Sequence, residues 1–286
     1  MDRLEYTTNQ DIFYDFCLWE YRPAISCEHK FRSVNLLYNS FDYMGIHEGF
    51  FDLVQAIRQG MGESNTVWGI KQMGDDIRWE FYFYDYGRIE RERSITKLLD
   101  IIRPFIRCEI KANENFHYFM FSIDITGGLI AKTGDLQEIH MYIGNPGSTV
   151  SSGICYSLTA GGTRLENFYF FFDAEREMDE IIAKVVCSSY VDFTETGIDQ
   201  ILWPELKKCK VIVVANKQGN DSVYFSGIDV DQLIFFLKRM GYPGEIVSFA
   251  EENRARLDHL RYDVGFDYRM EGGMLLILKS GYYGFF

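Results

Sequence analysis

Apolar and polar positions alternate along several stretches of the chain, most sharply in Ile77–Gly87, IRWEFYFYDYG. Successive side chains of a strand point to opposite faces. Trp79, Phe81 and Phe83 therefore share one face, and Glu80, Tyr82, Tyr84 and Tyr86 share the other. The same two-faced pattern returns downstream. In 137–143, Ile139, Met141 and Ile143 oppose Glu138, His140 and Tyr142. In 165–172, Phe168, Phe170 and Phe172 oppose Asn167, Tyr169 and Phe171. Across 210–216 and 222–228, Lys210, Tyr224 and Ser226 oppose Val211, Val213, Val223 and Phe225, and in 273–279 Lys279 shares a face with Leu275 and Ile277. One face is aliphatic and Phe-rich; the other mixes Tyr with single polar or charged groups.

Turn chemistry joins these stretches in pairs: 66–72 with 77–86, 117–125 with 137–144, 153–159 with 165–173, 210–216 with 222–228, and 263–270 with 273–279. Apolar residues at three- and four-residue spacing predict helices over 49–60, 94–105, 175–190, 229–241 and 244–260. Ser94 and Asp229 are N-cap residues, and Gly241 is a stop. Without a linker or low-complexity segment, the chain reads as a single α+β domain over 1–286, with a helical part over 1–64 and hairpin-plus-helix repeats over 65–286. Helices need an apolar surface to cover, so the Phe face belongs under them and the Tyr face on the other side. The fold predicted is a ten-stranded antiparallel β-barrel with a polar, aromatic lumen, surrounded by α-helices. Ten strands enclose more room than side chains of an eight-stranded barrel would fill. The rival reading is an open sheet with a half-solvated Tyr face.

Composition adds constraints. The 286 residues include 19 Tyr and 24 Phe and carry a formal charge of −13, which argues against nucleic acid or an anionic membrane as the main partner. The six cysteines lie far apart without zinc-ligand spacing. The opening MDRLEYTTNQDIFYDF has no signal-peptide pattern, and no apolar run reaches membrane-spanning length, which predicts a soluble, cytoplasmic protein.

Lys71, His140, Lys210 and Lys279 fall on the face assigned to the lumen, where a buried cation needs an anion. Several such groups from different hairpins suggest a diphosphate ligand, with Asn167 as a neutral donor; snorkelling at strand ends is the alternative. Glu80 has three readings: a proton acceptor, a ligand for Mg²⁺ bridging to a diphosphate, or a structural partner of Lys71 or Lys210. Tyrosine faces such as Tyr82 and Tyr142 would stabilise a carbocation and keep water from it. No phosphate-binding GxxxxGK[ST] loop and no DDxxD repeat is present.

The segments SIDITGGLIAKTGDLQEIHMYIG, NDSVYFSGIDVDQLIFFLKRM, EIVSFAEEN and LLILKSGYYGFF are similar in order and spacing to the ABBA aromatic prenyltransferases, over about residues 65–286. The C-terminal half most resembles the cyanobactin-type peptide prenyltransferases; the first of these segments and KSGYYG also resemble the small-molecule branch of soil bacteria. The resemblance implies transfer of a prenyl group from an allylic isoprenyl diphosphate, dimethylallyl or geranyl, to a peptide side chain or a small aromatic acceptor. It implies diphosphate contacts at Lys210, Asn167 and Lys279, with His140 at a frequently basic position, and a carbocation shield at Tyr142, Tyr169, Tyr224 and Tyr282, which Tyr82 joins on the wall. Glu80 falls where the small-molecule branch carries a Mg²⁺-binding acid and the peptide branch often has arginine. A barrel that carries a neutral hydrophobic ligand without catalysis is the reading from another class.

Overall fold

The computed structural model describes residues 3–46 and 48–286. Ahead of the barrel come a two-residue hairpin, β1 (Phe13–Tyr14) and β2 (Glu20–Tyr21), and the helices α1 (Val34–Tyr43) and α2 (Glu48–Met61). The barrel strands are β3 (Thr66–Met73), β4 (Asp76–Tyr84), β5 (Tyr118–Ile125), β6 (Ile139–Gly144), β7 (Ser152–Thr159), β8 (Gly162–Asp173), β9 (Val211–Lys217), β10 (Asp221–Ile228), β11 (Tyr262–Glu271) and β12 (Met274–Phe285). Between them lie α3 (Ile95–Ile102), α4 (Gly127–Ile130), α5 (Met178–Val186), α6 (Val230–Arg239), α7 (Gly244–Glu252) and α8 (Arg254–Leu257). Each barrel strand pairs antiparallel with its neighbours in sequence, and β12 returns to β3, so ten strands close on themselves. No helix among the described residues is long and apolar enough to cross a membrane.

Local chemistry sets the helix ends. Ser94 Oγ accepts the Lys97 N–H at 3.1 Å, and Asp229 forms a capping box with Gln232 ahead of α6. The helix expected over 244–260 is two pieces, because the chain turns at Asn253 between α7 and α8. Helix α5 is shorter than 175–190, since 173–177 form a turn capped by Asp173 and Glu177.

The outer faces of the strands meet the helices. Trp79 packs on Phe41 and Phe50 and donates its indole N–H to Ser40 Oγ at 2.8 Å. Trp203, ahead of β9, stacks on Phe266 at 4.8 Å between ring centres. Phe81, Phe83, Phe121 and Phe225 are fully buried, as their alternation required. Strand β8 departs from this: Phe168, on its outer face, is 40% exposed.

Candidate functional site

The inward residues form two unlike zones. In the upper zone, β4, β6, β8, β10 and β12 contribute Tyr82, Tyr142, Tyr169, Tyr224 and Tyr283 to a cavity of about 460 Å³. Their rings run in a continuous arc. Centroid separations are 5.9 Å for Tyr283–Tyr82, 6.0 Å for Tyr82–Tyr142, 5.7 Å for Tyr142–Tyr169 and 6.4 Å for Tyr169–Tyr224. Two glycines make the arc fit. Gly265 faces Tyr224 and Gly69 faces Tyr283 across the ladder, and a Cβ on either would strike the opposing ring. Burial raises the pKa of all five phenols, most strongly for Tyr82, Tyr142, Tyr169 and Tyr283, so the rings face the cavity uncharged.

The N-terminal hairpin roofs this cavity. Phe16 sits against Tyr82, Tyr84 and Tyr283 with ring centres 5.4, 5.9 and 5.9 Å apart. Buried Asp15 accepts the N–H groups of Cys17 and Trp19 at 3.2 and 3.0 Å and pairs with Lys210 Nζ at 2.9 Å. Leu18 holds the turn at φ 59°, an uncommon left-handed conformation for that residue. Asp263 lies beneath and accepts the Gly227 N–H at 3.2 Å. Burial, with the charge of Asp15 adding to it, pushes its pKa up to about 7.

In the lower zone the lumen is charged. Lys71 Nζ lies 2.8 Å from Glu80 and 2.8 Å from Asp124, and the Ser122 hydroxyl donates to Glu80 at 3.2 Å. Burial works against the Lys71 ammonium, but Asp124 and Glu80 more than restore it, so its pKa lies above the usual lysine range. Lys217 Nζ spans both oxygens of Asp267 at 2.9 Å, and the Ser222 hydroxyl adds a bond of 2.5 Å. Despite its burial, Asp267 is held well below the carboxylate range, by Lys217 and then Lys279. Burial lowers the pKa of His140, which stays neutral near pH 7, 3.6 Å from Glu138.

The zones divide the residues expected from sequence. Tyr82, Tyr142, Tyr169 and Tyr224 line the cavity together, whereas Lys71, Glu80, His140, Asn167 and Lys279 lie outside its lining, in the tier below. Asn167 donates to the Tyr169 hydroxyl at 3.3 Å and joins the two levels. Glu80 takes the structural reading for its nearest contact, since Lys71 occupies its oxygen. Three placements are corrected. Tyr282 points outward, fully buried against Trp68 and Tyr242, and Tyr283 takes its place in the lumen. Lys210 stands at the rim before β9, whose inner face is Val211, Val213, Ala215 and Lys217. Lys279 does not share its face with Ile277: Lys279 pairs with Asp267 and Ile277 with Tyr268, leaving Leu278 as a bulge that flips the alternation.

Lys217, Asp124, Asp267, Tyr283, Asp15 and Phe16 escaped the sequence reading. Parity would have found Tyr283, because Lys279 and Tyr282 are an odd number of residues apart and cannot share a face of an unbroken strand. Lys217 hid behind valines that resembled a helix-covered face.

A catalytic metal centre on a protein scaffold needs clustered His and carboxylate ligands. No group of three or more His, Cys, Asp or Glu gathers in this way among the described residues. At Glu80 and Asp124 the space between the carboxylates holds the Lys71 ammonium. The described residues do not fit such a centre.

No family model matches the chain. It is similar to a putative JmjC domain-containing protein of Acanthamoeba polyphaga mimivirus, at 22% identity over 263 residues, covering 78% of this chain and 42% of that protein. The chain thus spans less than half the length of this curated relative. The relative is named for a JmjC domain and not for prenyl transfer. The expectation of a prenyltransferase acting in cyanobactin-type peptide modification is corrected on that finding.

Proposed function

We propose that this chain is a ligand-binding barrel of ABBA type whose tyrosine-lined cavity takes an organic cation on an apolar body. The observation that carries the reading is the arc of five uncharged phenol rings on one cavity wall. Ring faces attract cations, and the attraction grows when water is excluded. Charge at the rim acts in the same direction. Carboxylates Asp173 and Glu177 line the cavity with Arg88 and Lys210, and Lys210 is already tied to Asp15. A cavity of about 460 Å³ suits a small ligand.

Sequential antiparallel pairing around ten strands, with helices outside, supports the ABBA likeness of the architecture. Fold alone does not carry function. A metal-dependent chemistry would need a ligand set beyond the described residues, and the reading is one of binding.

Isothermal titration with benzyltrimethylammonium, its neutral isostere neopentylbenzene and phenyl phosphate tests the proposal. The cation should bind roughly 10-fold more tightly than the neutral compound, about 1.4 kcal/mol. Equal binding of cation and isostere, or preference for phenyl phosphate, would sink it.

A further inference from the structure

We propose that Lys279 is a nucleophilic amine, reachable through the lower end of the barrel, that forms an imine with a small aldehyde or ketone. This site is independent of the cation-binding cavity, because Lys279 is not part of that cavity's lining. Three ammonium groups share the lower zone, and their partners are unevenly divided. Lys71 has two carboxylates at 2.8 Å, and Lys217 has both oxygens of Asp267 at 2.9 Å. Among the described residues Lys279 pairs only with Asp267, at 3.4 Å, a carboxylate already engaged by Lys217 and Ser222. One carboxylate serving two ammoniums leaves the more distant one under-compensated.

The groups acting on Lys279 are Lys217 from β9, Asp267 from β11, Lys71 from β3 and Glu80 from β4. Lys217 is the largest influence and lowers the pKa of Lys279, burial lowers it further, and the net shift is downward. A lysine beside another cation keeps more of its free base near neutral pH, which is what a nucleophilic amine requires. Its side chain is 30% exposed, and Asp124 and Glu138 in the same zone are 38% and 39% exposed, so water and small solutes reach this end.

The step balances without a further reagent. The lone pair of the neutral Nζ adds to the carbonyl carbon, its two protons pass to the carbonyl oxygen, and the carbinolamine loses that oxygen as water as C=N replaces C=O. Neutral His140 and the carboxylates of Asp124 and Glu138 stand in the zone as groups able to pass those protons.

Reductive trapping on the full chain, with butanone and cyanoborohydride followed by peptide mass mapping, tests the inference. At pH 7, Lys279 should be labelled at least about 5-fold faster than exposed Lys97 and Lys132, its rate should level off at lower pH than theirs, and Lys217→Met should slow it. Labelling of Lys279 no faster than these surface lysines would overturn the proposal. The native protein's pH profile decides the matter alone if Lys217→Met does not fold: a Lys279 rate that rises in parallel with the surface lysines also overturns it.

Discussion

In the upper half of the lumen, five phenols form an arc of tilted and T-shaped ring contacts around open space; in the lower half, ammoniums and carboxylates pair between the strands. Both halves lie on the same ten strands and follow the same alternation. They differ in how polarity is buried. A phenol carries one small dipole on a large apolar ring, so it can border a cavity at modest cost. An ammonium cannot, and Lys71 and Lys217 are held by carboxylates from other strands of the barrel. The cavity of about 460 Å³ therefore lies where the wall is mostly uncharged rings, and the Lys71 and Lys217 pairs of the other half brace the barrel.

The sharpest way to break this contrast is to unpair the lower half. Lys71→Met should destabilise the fold by about 3–5 kcal/mol in urea denaturation, because it strands Glu80 and Asp124. Adding Glu80→Gln and Asp124→Asn should recover part of that loss; an isolated Lys71→Met that melts like the parent would remove the bracing role.

Next comes the roof. Asp263 has a pKa near 7, above that of an unfolded aspartate. The folded state then binds more protons than the unfolded one, so stability falls as pH rises from roughly 4 to 7, by at most about 1.4 kcal/mol per unit from this group. In Asp263→Asn that contribution vanishes, and the two proteins' stability curves should diverge across this window. Parallel curves would show that Asp263 titrates as an ordinary carboxylate.

Gly265→Ala probes the arc itself. Its methyl would strike the Tyr224 ring, so the ring must move, at a cost of about 1–3 kcal/mol and with loss of benzyltrimethylammonium binding. Unchanged affinity would mean that Tyr224 does not shape the cavity. The smallest effect is expected at Tyr142→Leu, which should weaken cation binding by roughly 2-fold, leave binding of the neutral isostere nearly constant and change the melting temperature little. An equal loss for both ligands would point to packing rather than attraction between ring and cation.

Much of the fold was legible in the chain because strand alternation and turn residues are local signals. The five hairpins, the outward Trp79, Phe81 and Phe83, the inward Tyr82 and Tyr142, and the caps at Ser94 and Asp229 all follow from such signals. Bulges were not legible. The unpaired Leu278 reverses the faces on either side of it, which parted Lys279 from Ile277, and no residue type announces a bulge there. Nor does alternation say which lysine meets which carboxylate: Lys71 with Asp124, or Lys217 with Asp267, are partners brought from strands 53 and 50 residues apart.

The sequence by itself determined that a Phe face and a Tyr face run along paired strands, since side-chain period is a property of the extended backbone. It also supplied the identity of the ionisable groups. Only the tertiary structure decided that the strands close, that Phe16 roofs the cavity, and that the lysines lie below the tyrosines with carboxylates between them. Those outcomes depend on shear, bulges and cross-strand register, which arise from all ten strands together.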